Sequence, residues 1–169
     1  MKYCYDCGTK LVDKYLEGEG MIPYCEMCKQ HRFPIFNAAV SMEVLNPTQD
    51  KVILIQQYGR TRNILVAGYI NRGESAEQAV VREAKEELGL DVGQLRFNKS
   101  QFFAGSNTLM INFSCVATSE DLSGKTDEVD YVRWYTFDEA RENVFHNSLA
   151  EKFLLHFLDK EQTSKHPAD

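Results

Sequence analysis

Three glutamates, Glu83, Glu86 and Glu87, fall on one side of a short predicted helix. A helix advances by about 100° per residue, so these side chains span an arc of roughly 100°. Small apolar residues, among them Ala79 and Val80, lie on the same side, whereas a solvated run of charge should oppose the apolar stripe. Neighbouring carboxylates repel by about 4 kcal/mol per pair at about 4 Å and an effective dielectric of about 20. A hard divalent cation, which prefers oxygen ligands, is the natural candidate to offset that repulsion.

Loop and cap signals frame this helix. Gly68 and Gly73 bracket a predicted loop in which the backbone can approach a ligand closely, because glycine has no Cβ. Ser75 and Gln78 form an S-x-x-Q capping box, which marks the start of a helix. Gly89 stands where a helix commonly ends in a glycine. The sequence therefore predicts a glycine loop, then a capped helix that carries carboxylates, then a stop.

The arrangement of residues 68–90 resembles the Nudix box. The pattern of that family is a glycine, five residues, a glutamate, seven residues and then Arg-Glu-apolar-any-Glu-Glu-any-Gly-apolar. Its apolar positions hold Ala84 and Leu90, and its fixed positions are all matched, by Gly68, Glu74, Arg82, Glu83, Glu86, Glu87 and Gly89. The alternative is an ordinary surface helix with a run of glutamates, which a pattern of this length disfavours.

The resemblance implies hydrolysis of the pyrophosphate bond in a nucleoside diphosphate linked to another group, X, with Mg²⁺ or Mn²⁺. Divalent cations neutralise pyrophosphate charge and lower the pKa of bound water, and phosphoryl transfer depends mostly on positioning and electrostatics. The resemblance assigns metal binding to Glu83, Glu86 and Glu87, and to the backbone carbonyl of Gly68. The sequence does not choose between Mg²⁺ and Mn²⁺, because both accept oxygen ligands in similar geometry.

The resemblance also assigns the remaining catalytic roles. Arg82 would orient the neighbouring carboxylates, and Glu74 would support the site or serve a purely structural purpose. Glu87 is the first choice for the general base, because it could hold a water molecule against a metal ion. Glu128, in a downstream acidic loop, is the second choice, and a solvated loop is the alternative interpretation of that segment.

A second motif lies near the N-terminus, where Cys4, Cys7, Cys25 and Cys28 form two C-x2-C pairs. This spacing is typical of a tetrahedral zinc site and, with short strands between the pairs, predicts a zinc ribbon. A piece of about 35 residues cannot build an adequate core alone, so zinc would supply its folding energy. Two disulfides or a redox pair are weaker alternatives, and the fifth cysteine, Cys115, is predicted to be a buried thiol.

A zinc ribbon followed by a Nudix box resembles the NADH pyrophosphatase branch of the superfamily. That branch follows the box with Ser-Gln-Pro-Trp-Pro-Phe-Pro-any-Ser, and often with Leu-Met. Here Ser100-Gln101 and Leu109-Met110 match, but the prolines and the tryptophan are absent. NAD(H), ADP-ribose, another dinucleotide and a capped RNA end therefore stay open as nucleotide-derived substrates. Phe102 and Phe103 could stack on a base or could be core residues at a strand end.

Three arginines, Arg60, Arg62 and Arg72, lie in predicted loops on either side of the strand that leads into the box. They could bind substrate phosphates or could be ordinary surface residues. The net charge of −6 argues against a broad nucleic-acid surface, which would be basic. The alternative function is a zinc-ribbon module that binds nucleic acid or regulates, with an idle Nudix fold. A third role for the ribbon is dimerisation, so a homodimer is possible.

The length of 169 residues suits one domain of about 130 residues and the small ribbon. We predict a zinc ribbon over residues 1–35, a Nudix domain over 36–160 and a disordered tail over 161–169. The Nudix resemblance implies an α/β fold, an α/β/α sandwich with a mixed sheet. The apolar runs are too short to span a membrane and no targeting segment is visible, so we expect a cytoplasmic protein.

Overall fold

A computed structural model of the chain describes the backbone of residues 1–165 and the side chains of residues 1–162. The chain divides into two compact units, Met1–Phe36 and Asn37–Asp169, called here the N-terminal and C-terminal units. Within the described residues, no helix is both long enough and apolar enough to cross a membrane.

The N-terminal unit is a small antiparallel sheet. Its strands β1 (Val12–Leu16), β2 (Gly20–Cys25) and β3 (Gln30–His31) lie in the order β1-β2-β3. The hairpin between β1 and β2 turns at Gly18 and Gly20, which both have φ near +80°, a conformation that glycine adopts without steric cost. Tight turns follow the first cysteine of each C-x2-C pair, where Gly8 N–H donates to the Cys4 carbonyl and Lys29 N–H donates to the Cys25 carbonyl. The sheet thus brings the two cysteine pairs together.

The C-terminal unit is built on a mixed sheet. Its strands are β4 (Asn37–Leu45), β5 (Lys51–Gln57), β6 (Val66–Tyr69), β7 (Val92–Phe103), β8 (Thr108–Ala117) and β9 (Val129–Thr136). They lie in the order β7-β8-β4-β5-β9, with β6 paired to β4. Strands β4 and β8 run parallel, and the other pairs are antiparallel. The helices are α1 (Ala76–Leu88), α2 (Phe137–Asn143) and α3 (Leu149–Lys165).

Helices cover both faces of this sheet. Strand residues alternate between the faces, so that Ile53 and Ile55 pack with α1 while Val52 and Leu54 pack with α2 and α3. The helical residues of the first core are Ala79, Val80, Ala84 and Leu88. Those of the second core are Ala140, Phe153, Leu154, Phe157 and Leu158. The predicted α/β/α sandwich with a mixed sheet is confirmed.

The caps of α1 are those that the sequence predicts. The Ser75 hydroxyl accepts the Gln78 N–H at 3.2 Å, and the Gln78 side chain accepts the Ser75 N–H at 2.9 Å. Gly89 ends the helix in the left-handed region, with φ +71°. Ser148 and Glu151, at the start of α3, have the spacing of a second capping box but form only half of it. The Ser148 hydroxyl accepts the Glu151 N–H, whereas the Glu151 carboxylate accepts the N–H of Asn147.

Two boundaries differ from the sequence expectations. Gly68 lies inside β6, where it pairs with Val40, and not in a loop. Helix α3 continues to Lys165, so residues 161–165 of the expected disordered tail are helical. The apolar stripe that contains Phe153 and Phe157 packs on the sheet and stabilises this helix, which continues past its last buried turn. The rest of that expectation concerns residues 166–169, which lie outside the described part of the chain.

A buried carboxyl group lies on the α3 side of the sheet. Glu43 of β4 is fully buried, and its two carboxyl oxygens accept the side-chain amides of Asn98 at 2.9 Å and Asn112 at 3.1 Å. Burial raises the pKa of Glu43 to about 8, although these two hydrogen bonds act in the opposite direction. The folded chain therefore holds a proton at Glu43 at pH values where the unfolded chain has lost it.

We expect Glu43→Gln to flatten the pH dependence of stability. Because the pKa of Glu43 is raised in the folded state, its stabilising proton is fully present below the unfolded pKa of about 4.3 and is lost as pH rises through about 8. The free energy of unfolding should therefore fall between pH 5.5 and 7.5 in the wild type, by about 1 kcal/mol per pH unit from this group. The fluorescence of Trp134, the only tryptophan, reports urea unfolding of this unit.

Glu142→Gln is the matched control, because Glu142 is an exposed glutamate of α2. It should keep the wild-type slope. If Glu43→Gln and the wild type lost stability at the same rate with rising pH, the buried proton would not reside on Glu43.

Candidate active site

Helix α1 places its glutamates at two depths. Glu83 and Glu87, one turn apart, are buried beside the apolar residues that anchor the helix. The side chain of Glu86 lies at the edge of this arc and is 56% exposed. The three carboxylates therefore share a helical side but do not converge on one point. Within the described residues, the only group of three or more potential ligand side chains whose ligand atoms lie mutually within 4.8 Å is a set of cysteines.

Arg82 binds three of the acidic residues at once. Its Nε and Nη2 donate to the two oxygens of Glu74 at 2.8 and 2.9 Å, a bidentate pair. Its Nη1 donates to Glu83 Oε1 at 2.7 Å and to Glu86 Oε2 at 2.8 Å. Its Nη2 also donates to the carbonyl of Tyr69 at 2.9 Å, which ties α1 to β6. One guanidinium thus fixes the positions of two of the glutamates on α1.

Glu74 serves as the base of this network. The Arg82 guanidinium beside it, helped by the backbone N–H of Asn71 at 2.9 Å, lowers the pKa of Glu74 to about 2. The hydrogen bonds to Glu74, Glu83 and Glu86, with that to Glu74 the largest cause, raise the pKa of Arg82 above its ordinary value. The pair therefore keeps opposite charges over the whole physiological pH range.

Gly68 is required by a close approach of a side chain. A Cβ built on this residue would overlap the carboxyl carbon and oxygens of Glu83. Its backbone is paired with Val40 in the sheet, so the strand cannot easily move away. The glycine is explained by space for Glu83 and not by a left-handed backbone.

Glu87 is held at one oxygen and left open at the other. Its Oε1 accepts the side-chain amide of Gln57 at 2.8 Å, whereas its buried Oε2 has no hydrogen-bond partner. Burial raises the pKa of Glu87 to about 7, the Gln57 amide opposes this, and the charges of Glu83, Glu128 and Glu86 add to it. An unpaired buried carboxylate oxygen is costly unless a further partner binds it. Among the acidic residues of the cavity, this oxygen is therefore the strongest candidate to bind a cation.

These groups open into a cavity of about 420 Å³. Its volume lies in the range of small-molecule sites, about 300–1,000 Å³. The polar and charged lining comes from the box, from the three connections that hold Tyr58, Ser106 and Glu128, and from the start of β8. The full lining is Ala39, Tyr58, Ala67, Gly68, Tyr69, Asn71, Arg82, Glu83, Glu87, Ser106, Thr108, Met110 and Glu128. The loop before Glu128 is joined to the end of α1, because Thr126 N–H donates to the Glu87 carbonyl at 3.2 Å.

A separate cluster lies in the N-terminal unit. The Sγ atoms of Cys4, Cys7, Cys25 and Cys28 lie within 4.8 Å of one another. Cys4 and Cys28 are 3.9 Å apart and Cys7 and Cys25 are 3.5 Å apart, measured between sulfurs. Four thiolates around one zinc at about 2.3 Å would lie about 3.8 Å apart. The donor set and its spacing therefore fit a tetrahedral metal ion.

The NUDIX domain family matches the chain over residues 36–157. This chain belongs to the Nudix family. The match coincides with the unit that contains the box and the cavity.

Known Nudix relatives and structures resemble the chain to different extents. It is 27% identical to the NAD-capped RNA hydrolase NudC of Pseudomonas aeruginosa over 98% of its length, and 30% identical to that of Escherichia coli over 82%. It spans only 59% and 52% of those two proteins. The crystal structure of a NUDIX hydrolase from Nitrosomonas europaea superposes on 99% of this chain and on 94% of its own chain, with a TM-score of 0.68 and 18% sequence identity. The crystal structure of a UDP-X diphosphatase covers 79% of this chain with 66% of its own chain, at a TM-score of 0.65 and 14% sequence identity.

The Nudix residues predicted from the sequence are distributed unevenly around the cavity. Of the six predicted catalytic residues, Arg82, Glu83, Glu87 and Glu128 line it. Glu74 and Glu86 do not line the cavity, but both accept hydrogen bonds from Arg82, Glu86 on the exposed side. The predicted metal ligands Gly68, Glu83 and Glu87 all face the same space.

The residues predicted to bind substrate do not line this cavity. Phe102 and Phe103 are half exposed at the end of β7. The guanidinium of Arg62 stacks on Phe145 at 4.4 Å, and Arg60 and Arg72 are exposed in loops beside the site. The cavity is lined instead by residues that were not predicted from the sequence, among them Tyr58, Tyr69 and Asn71. Gln57, the partner of Glu87, was also missed, although its place after two core-facing isoleucines of β5 puts it on the α1 face.

Proposed function

We propose that this chain hydrolyses the pyrophosphate bond of a nucleoside diphosphate linked to X, with Mg²⁺ or Mn²⁺. The observation that carries the proposal is the unpaired, buried Oε2 of Glu87 beside Glu83 in the cavity. A cation would satisfy that atom, and it would offset the charge of the neighbouring carboxylates. When bound, it would supply neutralisation of the diphosphate and acidification of a water molecule.

Each residue of the box has a separate task in this proposal. Glu83 and Glu87 would hold the metal with the carbonyl of Gly68, and Glu86, which is exposed beside Arg82, would be an additional ligand. Arg82 is a positioning residue, since it binds the carboxylates of Glu83 and Glu86 through one nitrogen. Glu74 supports Arg82, and thereby fixes the direction of its guanidinium.

Glu87 is our first choice for the group that takes the proton of the attacking water. Gln57 fixes its orientation through Oε1, so that Glu87 could hold a water molecule against the bound metal ion. Glu128 is the second choice, because it lies on the wall of the same cavity and is exposed. A tenfold or smaller loss of kcat in Glu128→Gln would leave the role to Glu87.

The relatives suggest which substrates to test first. Two of them are NAD-capped RNA hydrolases, so we propose NAD-type diphosphates as the first substrates, either as NAD(H) or as the capped end of an RNA. ADP-ribose and other dinucleotides come next. An idle Nudix module is disfavoured, because every carboxylate of the box is present. The homodimer and the cytoplasmic location stay predictions.

A product assay tests this function. Purified protein is incubated with NADH, NAD-capped RNA, ADP-ribose, a sugar nucleotide and a nucleoside triphosphate, each with Mg²⁺ and with Mn²⁺. We expect the NAD-type substrates to yield two monophosphate products, which ³¹P NMR distinguishes from pyrophosphate release. Hydrolysis that persisted in excess chelator, or the absence of turnover across the panel, would overturn the proposal.

We further propose that the four cysteines of the N-terminal unit bind one zinc ion. The purified protein should release about one equivalent of zinc when mercurial reagent is added, because thiolates hold the metal. Cys25→Ser removes a fully buried ligand and should reduce the zinc content to near zero. Cys115→Ala is the matched control, since Cys115 is a buried core thiol of β8 and should leave the zinc content unchanged. Equal zinc contents in the two variants would contradict this assignment.

A further inference from the structure

The chain turns sharply at Tyr58, directly after β5. Tyr58 has φ +59° and Gly59 has φ +66°, so two successive residues occupy the left-handed region. A bulky residue pays about 1–2 kcal/mol for this conformation, which suits glycine and asparagine much better. Among the described residues, the other non-glycine positions with positive φ are lysine, glutamine or asparagine, and Tyr58 is the only aromatic one.

This turn changes the direction of the Tyr58 side chain. In β5, Ile53 and Ile55 point toward α1, and Gln57 continues that alternation and binds Glu87. The next residue of a continuous strand would point to the opposite face of the sheet. Tyr58 lines the same cavity as Glu87 instead, because the strand has ended and the backbone has turned.

The turn is anchored to the catalytic side of the molecule. Gly59 N–H donates to Asp130 Oδ2 at 2.7 Å, and Arg60 N–H donates to the Gln57 carbonyl at 3.2 Å. Asp130 lies in β9, two residues beyond Glu128, which lines the cavity. The position of Tyr58 is therefore fixed relative to Glu87 on one side and Glu128 on the other.

Packing does not explain the strained tyrosine. Its exposed fraction is 81%, so almost none of the free energy that ring burial could supply offsets the backbone strain. Strained conformations that persist in a fold concentrate at functional sites. An exposed ring at the wall of a cavity that contains carboxylates offers a flat face to a ligand, and every planar base can stack on such a face.

We propose that Tyr58 is a specificity-determining residue that stacks on a planar heteroaromatic group of the substrate. This inference rests on the proposed function. It makes the substrate class more specific, because X or the nucleoside must present such a ring beside the diphosphate. Tyr58 contributes to substrate binding and not to the hydrolytic step, so its loss raises KM and leaves kcat nearly unchanged.

The test compares Tyr58→Leu, which keeps an apolar side chain without a π face, with Tyr58→Phe, which keeps the ring. With NADH as substrate, KM should rise about tenfold in Tyr58→Leu and stay within about twofold of the wild type in Tyr58→Phe, with kcat nearly constant in both. A second readout needs no turnover: ligand-observed NMR with AMP, in the absence of divalent metal, should show saturation transfer to the base protons in the wild type and Tyr58→Phe but not in Tyr58→Leu.

Stability provides an independent check on the strain. Tyr58→Gly should raise the unfolding temperature while it raises KM, because glycine adopts the left-handed conformation freely. Gln49→Gly is the matched control, since Gln49 is exposed with φ +57° in the turn between β4 and β5. It should also raise the unfolding temperature, but without any change in KM.

The outcomes separate this inference from the proposed function. An unchanged KM and an unchanged AMP signal in Tyr58→Leu would overturn the stacking role even if the wild type hydrolysed NADH. An equal loss of kcat in the leucine and phenylalanine variants would overturn it too, because the effect would not follow the ring. If the wild type hydrolysed no diphosphate but Tyr58→Leu alone lost the AMP signal, the stacking role would stand and the proposed function would fail.

Discussion

Glu87→Gln is expected to lower kcat by about a thousandfold or more, the upper range for removing a group that takes part in proton transfer. The amide keeps the shape of the side chain, and its oxygen can still accept from Gln57 Nε2. It cannot carry the negative charge that a cation or an attacking water requires. The variant should be as stable as the wild type or more so, because burial already raises the pKa of Glu87 and disfavours its charged form.

The matched control is Glu77→Gln, in the first turn of the same helix. Glu77 is exposed and does not line the cavity. We expect its kcat and KM to stay within twofold of the wild-type values. Steady-state kinetics with the best substrate of the panel, together with thermal unfolding of each variant, measure both effects. A folded Glu87→Gln protein that retained more than a tenth of the wild-type kcat would remove Glu87 from the mechanism.

Gly68→Ala should have the second largest effect. The new methyl group would overlap the carboxylate of Glu83, which is held from the other side by Arg82. Since Gly68 is paired with Val40, the side chain of Glu83 must move instead of the strand. A displacement of about 1 Å in a catalytic group can lower the rate by about a hundredfold. We therefore expect a loss of at least that size in kcat/KM.

Gly93→Ala is the control for this change. Gly93 also lies in a strand of the same sheet, and an added Cβ would meet no atom within 4 Å. Activity of that variant should equal that of the wild type. The affinity for Mn²⁺, measured by electron paramagnetic resonance, should fall in Gly68→Ala alone. Normal Mn²⁺ affinity and normal turnover in Gly68→Ala would mean that the position of Glu83 does not matter for the site.

Local rules were sufficient to predict the box helix. The Ser75 and Gln78 cap and the left-handed Gly89 depend on residues within one helical turn, so their spacing in the sequence is nearly their spacing in space. The layered fold followed from the family resemblance. Gly68 was predicted to lie in a loop where the backbone approaches a ligand, but it lies in β6 against the side chain of Glu83, fifteen residues later. The approach to a ligand stays a prediction.

Contacts between distant segments could not be predicted from such local sequence rules. The alternation of β5 gives the face of Gln57, but only the packing of α1 on the sheet brings Glu87 to it. The direction of Tyr58 depends on two left-handed residues and on an anchor in β9. Phe102 and Phe103 were predicted from their place in the altered motif after the box, and that place does not say on which side of the β7 end a ring lies. The exposure of Glu86 likewise depends on the reach of Arg82.

The proposed mechanism requires that a divalent cation bind between Glu83 and Glu87 in this cavity. Diffraction at the manganese absorption edge, from crystals soaked at an MnCl₂ concentration that saturates turnover, measures this directly. We expect an anomalous peak in contact with Glu87 Oε2, a carboxylate oxygen of Glu83 and the carbonyl of Gly68. The absence of a peak there, with manganese bound only elsewhere on the protein, would contradict it.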